Sequence, residues 1–239
     1  MWKRIYNPSL AVIYALILGS LLLIAILGSH GVTVFVENSS VEERKCVIID
    51  PGHGGVDGGA TSCTGILESS LNLEIALRLN DMMHLLGIDT VMIRTTDESV
   101  FTKGDTIAAK KVSDLKQRVN MVNNTDHATL ISIHQNHFTD SRYHGAQVFY
   151  ASTDGSIELA RKLQSEFVSK LNPGSNRKAK MAAGIYLMQK ITCPGVLVEC
   201  GFLSNPEEEA KLRSTDYQKK LCSVIATTIS SYLHAKTVA

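Results

Sequence analysis

Apolar and polar positions fall in blocks along this chain, and the period changes from block to block. Cys46–Ile49 is a short apolar run rich in β-branched residues, and Asp50-Pro51-Gly52 interrupts it. Such a run reads as a buried strand that stops where proline fixes φ and glycine accepts angles other residues avoid. The period then becomes helical: Leu71, Ile75, Leu79, Met82 and Leu86 share one face. Ser69 or Ser70 is the expected cap of this helix, and Gly87 the expected stop. Asp89–Arg94 reads as the next strand. Asp97–Ser113 is polar and aperiodic and reads as a long loop, followed by a helix over Asp114–Asn123 with Leu115, Val119 and Val122 inward. Ala128–Ile133 and Gly145–Tyr150 read as strands. Ser156–Leu171 carries Leu159, Leu163, Phe167 and Leu171 at every fourth position, and Asn172-Pro173-Gly174 ends it. Ile185–Met188 and Gly195–Val198 are two further short strands, and Tyr217–Tyr232 is a C-terminal helix. Strands alternating with helices predict an α/β fold: one domain with a twisted, mostly parallel sheet of about six strands, flanked by helices.

The N-terminal pattern is of another kind. Lys3 and Arg4 precede an uncharged, almost unbroken apolar run from Leu10 to Gly28. About 20 such residues span a bilayer as a helix, whereas a secretory core is about 7–15 residues long. Ser29-His30-Gly31 is the best small-residue cleavage signal and a poor one, so an uncleaved membrane-spanning helix is favoured over a cleaved signal peptide. Both readings export the remainder, because the positive flank stays inside. The expected organisation is a membrane or signal segment at 1–30, a polar linker at 31–44 and a catalytic-size domain at 45–235.

Composition narrows the class. The 239 residues are 44% hydrophobic and 20% charged, with a net charge of +1, so no broad basic field calls for nucleic acid. Five cysteines, at 46, 63, 193, 200 and 222, form neither a CxxC pair nor a regular disulfide framework. Cys46 and Cys200 sit in apolar runs and read as small core residues. One bridge among the five stays open.

Candidate chemistry collects where apolar runs end. His53 follows Ile49-Asp50-Pro51-Gly52, His134 follows Ile131-Ser132-Ile133, and Glu199 follows Val196-Leu197-Val198. If these strands are parallel neighbours, the three side chains meet at one sheet edge, where open α/β sheets bind ligands. Two imidazoles there suit zinc, and a catalytic site needs a third protein ligand and an open position. Glu68, at the start of the first helix, is the best third candidate. Each residue also has a plainer reading. Glu68 at a helix start favours the dipole, and His134 can be a hydrogen-bonded strand-end histidine. Glu199 is harder to set aside, since a carboxylate ending a buried strand needs a metal, a partner or a proton. His137 and His144 read as solvated loop residues, and His30, His84, His127 and His234 as surface or linker.

Taken together, Asp50-Pro51-Gly52-His53-Gly54-Gly55, Glu68, Ser132-Ile133-His134-Gln135-Asn136 and Val198-Glu199-Cys200-Gly201-Phe202-Leu203-Ser204-Asn205 resemble the zinc-dependent N-acetylmuramoyl-L-alanine amidases. The resemblance runs from about Cys46 to Tyr232. Val112–Arg118 and Tyr143–Tyr150 resemble more narrowly the spore-germination branch of that family, which acts on spore-cortex peptidoglycan in the forespore or spore envelope. The resemblance implies a phosphorylase/hydrolase-like fold and one catalytic zinc ion held by His53, Glu68 and His134. It implies Glu199 as the catalytic glutamate, with Asn136 and Arg118 in supporting, substrate-binding positions. The reaction implied is hydrolysis of the amide between muramic acid and the first stem alanine, a step toward muramic lactam. Peptidoglycan is then the partner, with an accessory protein or a homodimer left open. The segment Phe138–Arg142 is too short for the blocking helix some family members use. A zinc peptidase or sugar deacetylase acting on the same polymer is a rival, since the ligand set is shared by unrelated hydrolases. A tethered module that binds peptidoglycan without cutting it is another, although binding has no need of Glu199.

Overall fold

The computed structural model describes residues 45–235 and, outside them, Leu18. The chain divides into two units, Met1–Glu42 and Glu43–Ala239, and the second is described here. The expected membrane or signal segment and the linker lie outside the described residues, Leu18 apart. No helix among the described residues is long and apolar enough to cross a membrane.

Six strands form one sheet: β1 (Cys46–Pro51), β2 (Asp89–Met92), β3 (Ala128–Asn136), β4 (Gln147–Tyr150), β5 (Lys180–Met181) and β6 (Gly195–Phe202). Their order across the sheet is β2-β1-β3-β6-β4-β5. All neighbours run parallel except β4 and β6, which are antiparallel. Six described helices flank it: α1 (Glu68–Leu85), α2 (Ile107–Asn123), α3 (Ser156–Lys170), α4 (Tyr186–Lys190), α5 (Pro206–Arg213) and α6 (Thr215–Ala235).

Side-chain alternation sorts the two faces. Val47, Ile49, Ile131, Ile133, Val196, Val198 and Cys200 join the core under α1, α3 and α6. Ile48, Leu130 and Leu197 join a second core with Val122 of α2 and Leu187 and Met188 of α4. By the same alternation Asp50, Ser132, His134 and Glu199 lie on the α2–α4 face, while Cys200 lies on the other. Cys200 is fully buried, as expected of a core cysteine. The five cysteines, all among the described residues, are free, so none of them forms a bridge.

Several boundaries differ from the sequence pattern. The apolar run Ile185–Met188 is not a strand; Tyr186–Lys190 is a short helix, and the fifth strand is Lys180–Met181. Periodicity alone does not separate a short buried strand from a turn of buried helix. Helix α2 starts seven residues before Asp114, inside the segment read as loop. Its first turns present lysines and alanines rather than an apolar stripe, and Thr106 caps it by accepting from the Ala109 N–H at 3.1 Å. Helix α1 starts at Glu68 without a side-chain cap, so neither Ser69 nor Ser70 serves as one. Helix α5 has no apolar period but carries another signature. Asn205 accepts from the Glu207 and Glu208 N–H groups, Pro206 occupies the first turn and three glutamates follow.

Candidate metal centre and catalytic carboxylate

β1 and β3 pair in register through Pro51↔Ile133, and β3 and β6 through His134↔Glu199. Both polar residues are therefore still in their strands, which run to Asn136 and Phe202, three and four residues beyond the apolar runs. The ladder continues because each strand has an extended neighbour to bond. Past Pro51 the chain turns sharply at His53, whose φ of +62° lies in the left-handed region although it is not glycine. Such strain persists only where surroundings impose it, and two buried arginines do so. Arg94 donates to the carbonyls of Pro51 and Gly52 at 3.0 and 3.1 Å, and to those of Thr96 and Ser69. Arg118 donates to the Pro51 carbonyl at 3.0 Å and the His53 carbonyl at 2.6 Å, and pairs with Asp50 and Asp114. Asp50 in turn accepts from Ser132 Oγ at 2.6 Å. With its guanidinium so engaged, Arg118 supports the loop.

The loop delivers His53 to Glu68 and His134. His53 Nε2 lies 3.3 Å from Glu68 Oε2, and His134 Nδ1 lies 2.9 Å from Glu68 Oε1. The imidazoles meet edge to face, with centroids 4.9 Å apart. One donor atom from each of the three residues falls within 4.8 Å of the others. Close packing depends on glycine at two points. A Cβ on Gly52 would lie 2.2 Å from the His134 ring, and one on Gly59 would lie 2.6 Å from Glu68 Oε2.

Glu68 is held as an anion. Its carboxylate accepts from the N–H groups of Ala60 and Gln135 at 3.0 and 3.2 Å and from Asn72 Nδ2 at 3.3 Å. Burial alone would raise its pKa, but His134 and His53 outweigh burial and hold it far below the usual carboxylate range. Burial would lower the His53 pKa, yet Glu68 and then Asp57 raise it to about 9. Asp57 Oδ2 meets His53 Nδ1 at 2.9 Å, and Lys111 Nζ meets Asp57 Oδ1 at 2.7 Å. That leaves the inward Nε2 of His53 for a metal, with Asp57 fixing the ring from behind.

Glu199 stands on the adjacent strand at the wall of a cavity of about 340 Å³, shared with His53 and His134 and edged by Leu115, Ile185 and Leu187. Burial raises its pKa to about 7. Its Oε2 is buried without a hydrogen-bond partner. An orphaned carboxyl oxygen beside a two-imidazole, one-carboxylate donor set is what a divalent ion with a reacting water requires, so the residues fit a zinc site. Asn136 lies half-buried two residues beyond His134, after an irregularity in the β3–β6 register, and does not line this cavity.

Sequence reasoning missed Asp57, Arg94 and Lys111. For Asp57 the signal was present, an acid four residues after the loop histidine. Arg94 gave none, because its partners are carbonyl oxygens. Asp57→Asn is expected to weaken zinc binding about 10–100-fold with the fold intact, as for other carboxylates behind a metal-bound histidine. Competition with a zinc-sensitive dye measures it, and unchanged affinity would remove Asp57 from the ring's support.

A family profile described as N-acetylmuramoyl-L-alanine amidase matches residues 47–231. The germination-specific N-acetylmuramoyl-L-alanine amidase of Bacillus subtilis is 39% identical over 194 residues, covering 80% of this chain and 81% of that protein. The amidase AmiA of Salmonella typhimurium is 28% identical over 235 residues, covering 80% and 77%. Among solved structures, the CwlD amidase from Clostridioides difficile, in complex with the GerS lipoprotein, matches with a TM-score of 0.76 at 35% identity. That match covers 80% of this chain and 99% of the other.

Proposed function

The chain belongs to the N-acetylmuramoyl-L-alanine amidase family, and from that premise we propose that it is a zinc enzyme of spore-cortex peptidoglycan. In this reading it cuts the amide between muramic acid and the first stem alanine. One observation carries the zinc reading: three donor groups from a loop, a helix start and a strand lie within 4.8 Å, in register with an unpartnered buried carboxyl oxygen on the next strand. His53, Glu68 and His134 would hold the ion, and Glu199 would do the proton transfer. A bound zinc ion supplies Lewis acidity toward the scissile carbonyl and makes a water molecule more acidic.

Glu199 accepts the proton of the attacking water and returns it to the departing amine. Its raised pKa suits both halves near neutral pH. No side chain need be acylated, and Cys200 points away from the reaction into the core. The exported setting agrees with the uncharged run Leu10–Gly28 behind Lys3 and Arg4. The cortex setting is supported by the 39% identical relative named for germination. A lipoprotein partner is carried over from the complex of the structural neighbour.

Digestion of purified cortex and of vegetative walls tests the reaction. Mass analysis should find intact sugars and stem peptides with a free alanine amine. Cleavage inside the stem would favour a peptidase, and loss of acetyl groups a deacetylase. Unaltered polymer would leave the binding module.

Zinc affinity should also depend on pH. With His53 titrating at about 9, an ion that takes its Nε2 at neutral pH displaces a proton. Affinity should then rise about tenfold per pH unit between roughly 7 and 9. A flat dependence in a competition titration would show that His53 is not a donor.

A further inference from the structure

We propose that a second groove, beside the cavity that holds Glu199, binds a free carboxylate of the stem peptide, with Arg177 as its main contact. The inference rests on the amidase reading and adds to it a feature of substrate recognition. The groove has a volume of about 810 Å³ and runs between the segment 140–147 and the segment 174–180.

It lies at the same sheet edge as the metal-site residues. Gln147 at the start of β4 pairs with Glu199 on β6, and Lys180 opens β5 on the far side of β4. Gln147 Nε2 also donates to the Lys178 carbonyl at 2.7 Å, which ties the 174–180 segment to that edge. Strands are about 4.8 Å apart, so β4 and β5 lie about 5 and 10 Å from β6. An extended peptide advances about 3.3–3.6 Å per residue. Two or three stem residues would therefore reach from the scissile amide into the groove, and stem residues beyond the first alanine carry free carboxylates.

The charge of the groove fits that cargo. The chain as a whole carries only +1, yet Arg142, Arg177, Lys178 and Lys180 line this one surface against a single acid, Asp140. Asp140 closes on Arg142 at 2.7 Å, which leaves the other three cations. Arg177 is half-buried, and its bonds are to neutral groups: Nε to the His144 carbonyl at 3.0 Å and Nη1 to Gln147 Oε1 at 3.3 Å. Its guanidinium rests 5.0 Å from the centre of the Phe202 ring. Among the described residues it makes no ion pair within 4 Å; buried Glu208 favours its charge from a distance, and that carboxylate is already taken by the Gly145 and Phe202 N–H groups. A guanidinium braced by neutral contacts, with hydrogens to spare, is built for a carboxylate from outside.

Calorimetric titration of the purified full chain with the tripeptide L-alanyl-γ-D-glutamyl-diaminopimelate, and with the same peptide amidated at each of its free carboxylates, tests this. The free acid should bind about tenfold more tightly, and Arg177→Gln should abolish the difference, as expected of one charge-assisted contact. Should that variant fold poorly, Lys178→Gln with Lys180→Gln alters only exposed side chains and should reduce the preference about threefold. Equal binding of the two peptides by the unmodified protein would overturn the proposal, and so would a preference that these substitutions leave undiminished. Binding is read without turnover. A retained preference with no amide cleavage would count against the amidase reading alone, and cleavage with no preference against this proposal alone.

Discussion

Glu199→Gln is expected to lower kcat by about 10²–10⁴-fold while zinc content stays at the level of the unmodified protein. Proton transfer by a positioned carboxylate contributes that range in rate, and the amide keeps the shape of the side chain while losing the basic oxygen. The same substitution should stabilise the metal-free protein. Burial raises the Glu199 pKa from 4.5 to about 7, so the native state binds more protons than the unfolded chain across that interval. Stability then falls as pH rises from about 4.5 to 7 and levels off above it. The cost at pH 8 is at most on the order of 3 kcal/mol. Glutamine has no such cost, so the variant's advantage in Tm should grow between pH 5 and pH 8. Taking the difference between the two proteins cancels the opposite pH trends of His53 and Glu68. Undiminished turnover would remove Glu199 from the reaction, and a Tm difference independent of pH would contradict its buried, neutral state.

Glu68→Ala should abolish both zinc retention and hydrolysis. Glu68 touches both imidazoles, at 3.3 and 2.9 Å, and removing it deletes one donor of three. It also removes the charge that raises the His53 pKa. Loss of a carboxylate behind a ligand costs about 10–100-fold in affinity, and loss of the ligand itself should exceed that. Metal analysis after dialysis, together with turnover at saturating zinc, separates the two carboxylates. The Glu199 variant should hold zinc and fail to cut, whereas the Glu68 variant should fail at both. Stoichiometric zinc at undiminished affinity in the Glu68 variant would show that the ion sits elsewhere.

Much of the architecture was legible because apolar period reports burial. β1, β3, β4 and β6 and helices α1, α3 and α6 each carry a run or stripe that water would reject, whereas β2 is exposed or half-buried throughout. The elements that were misread lack it. Helix α5 is polar throughout its first turns, α2 opens on Ile107-Ala108-Ala109-Lys110-Lys111 with no apolar stripe, and the apolar stretch at 185–188 is too short to choose between strand and helix. In the site, His53, His134 and Glu199 stood out because each ends a buried run, and Glu68 because it opens a helix nearby.

By itself the sequence determined the α/β class, the order of its main elements and the residue types able to hold an ion, since these follow from local period and from the chemistry of each side chain. Tertiary structure decided which groups meet. The strand order β1-β3-β6 sets His134 against Glu199, two buried arginines force His53 into a left-handed turn, and Lys111 of α2 reaches the Asp57 carboxylate behind it. These pairings depend on neighbours tens of residues away, and local pattern holds no record of which strands lie side by side.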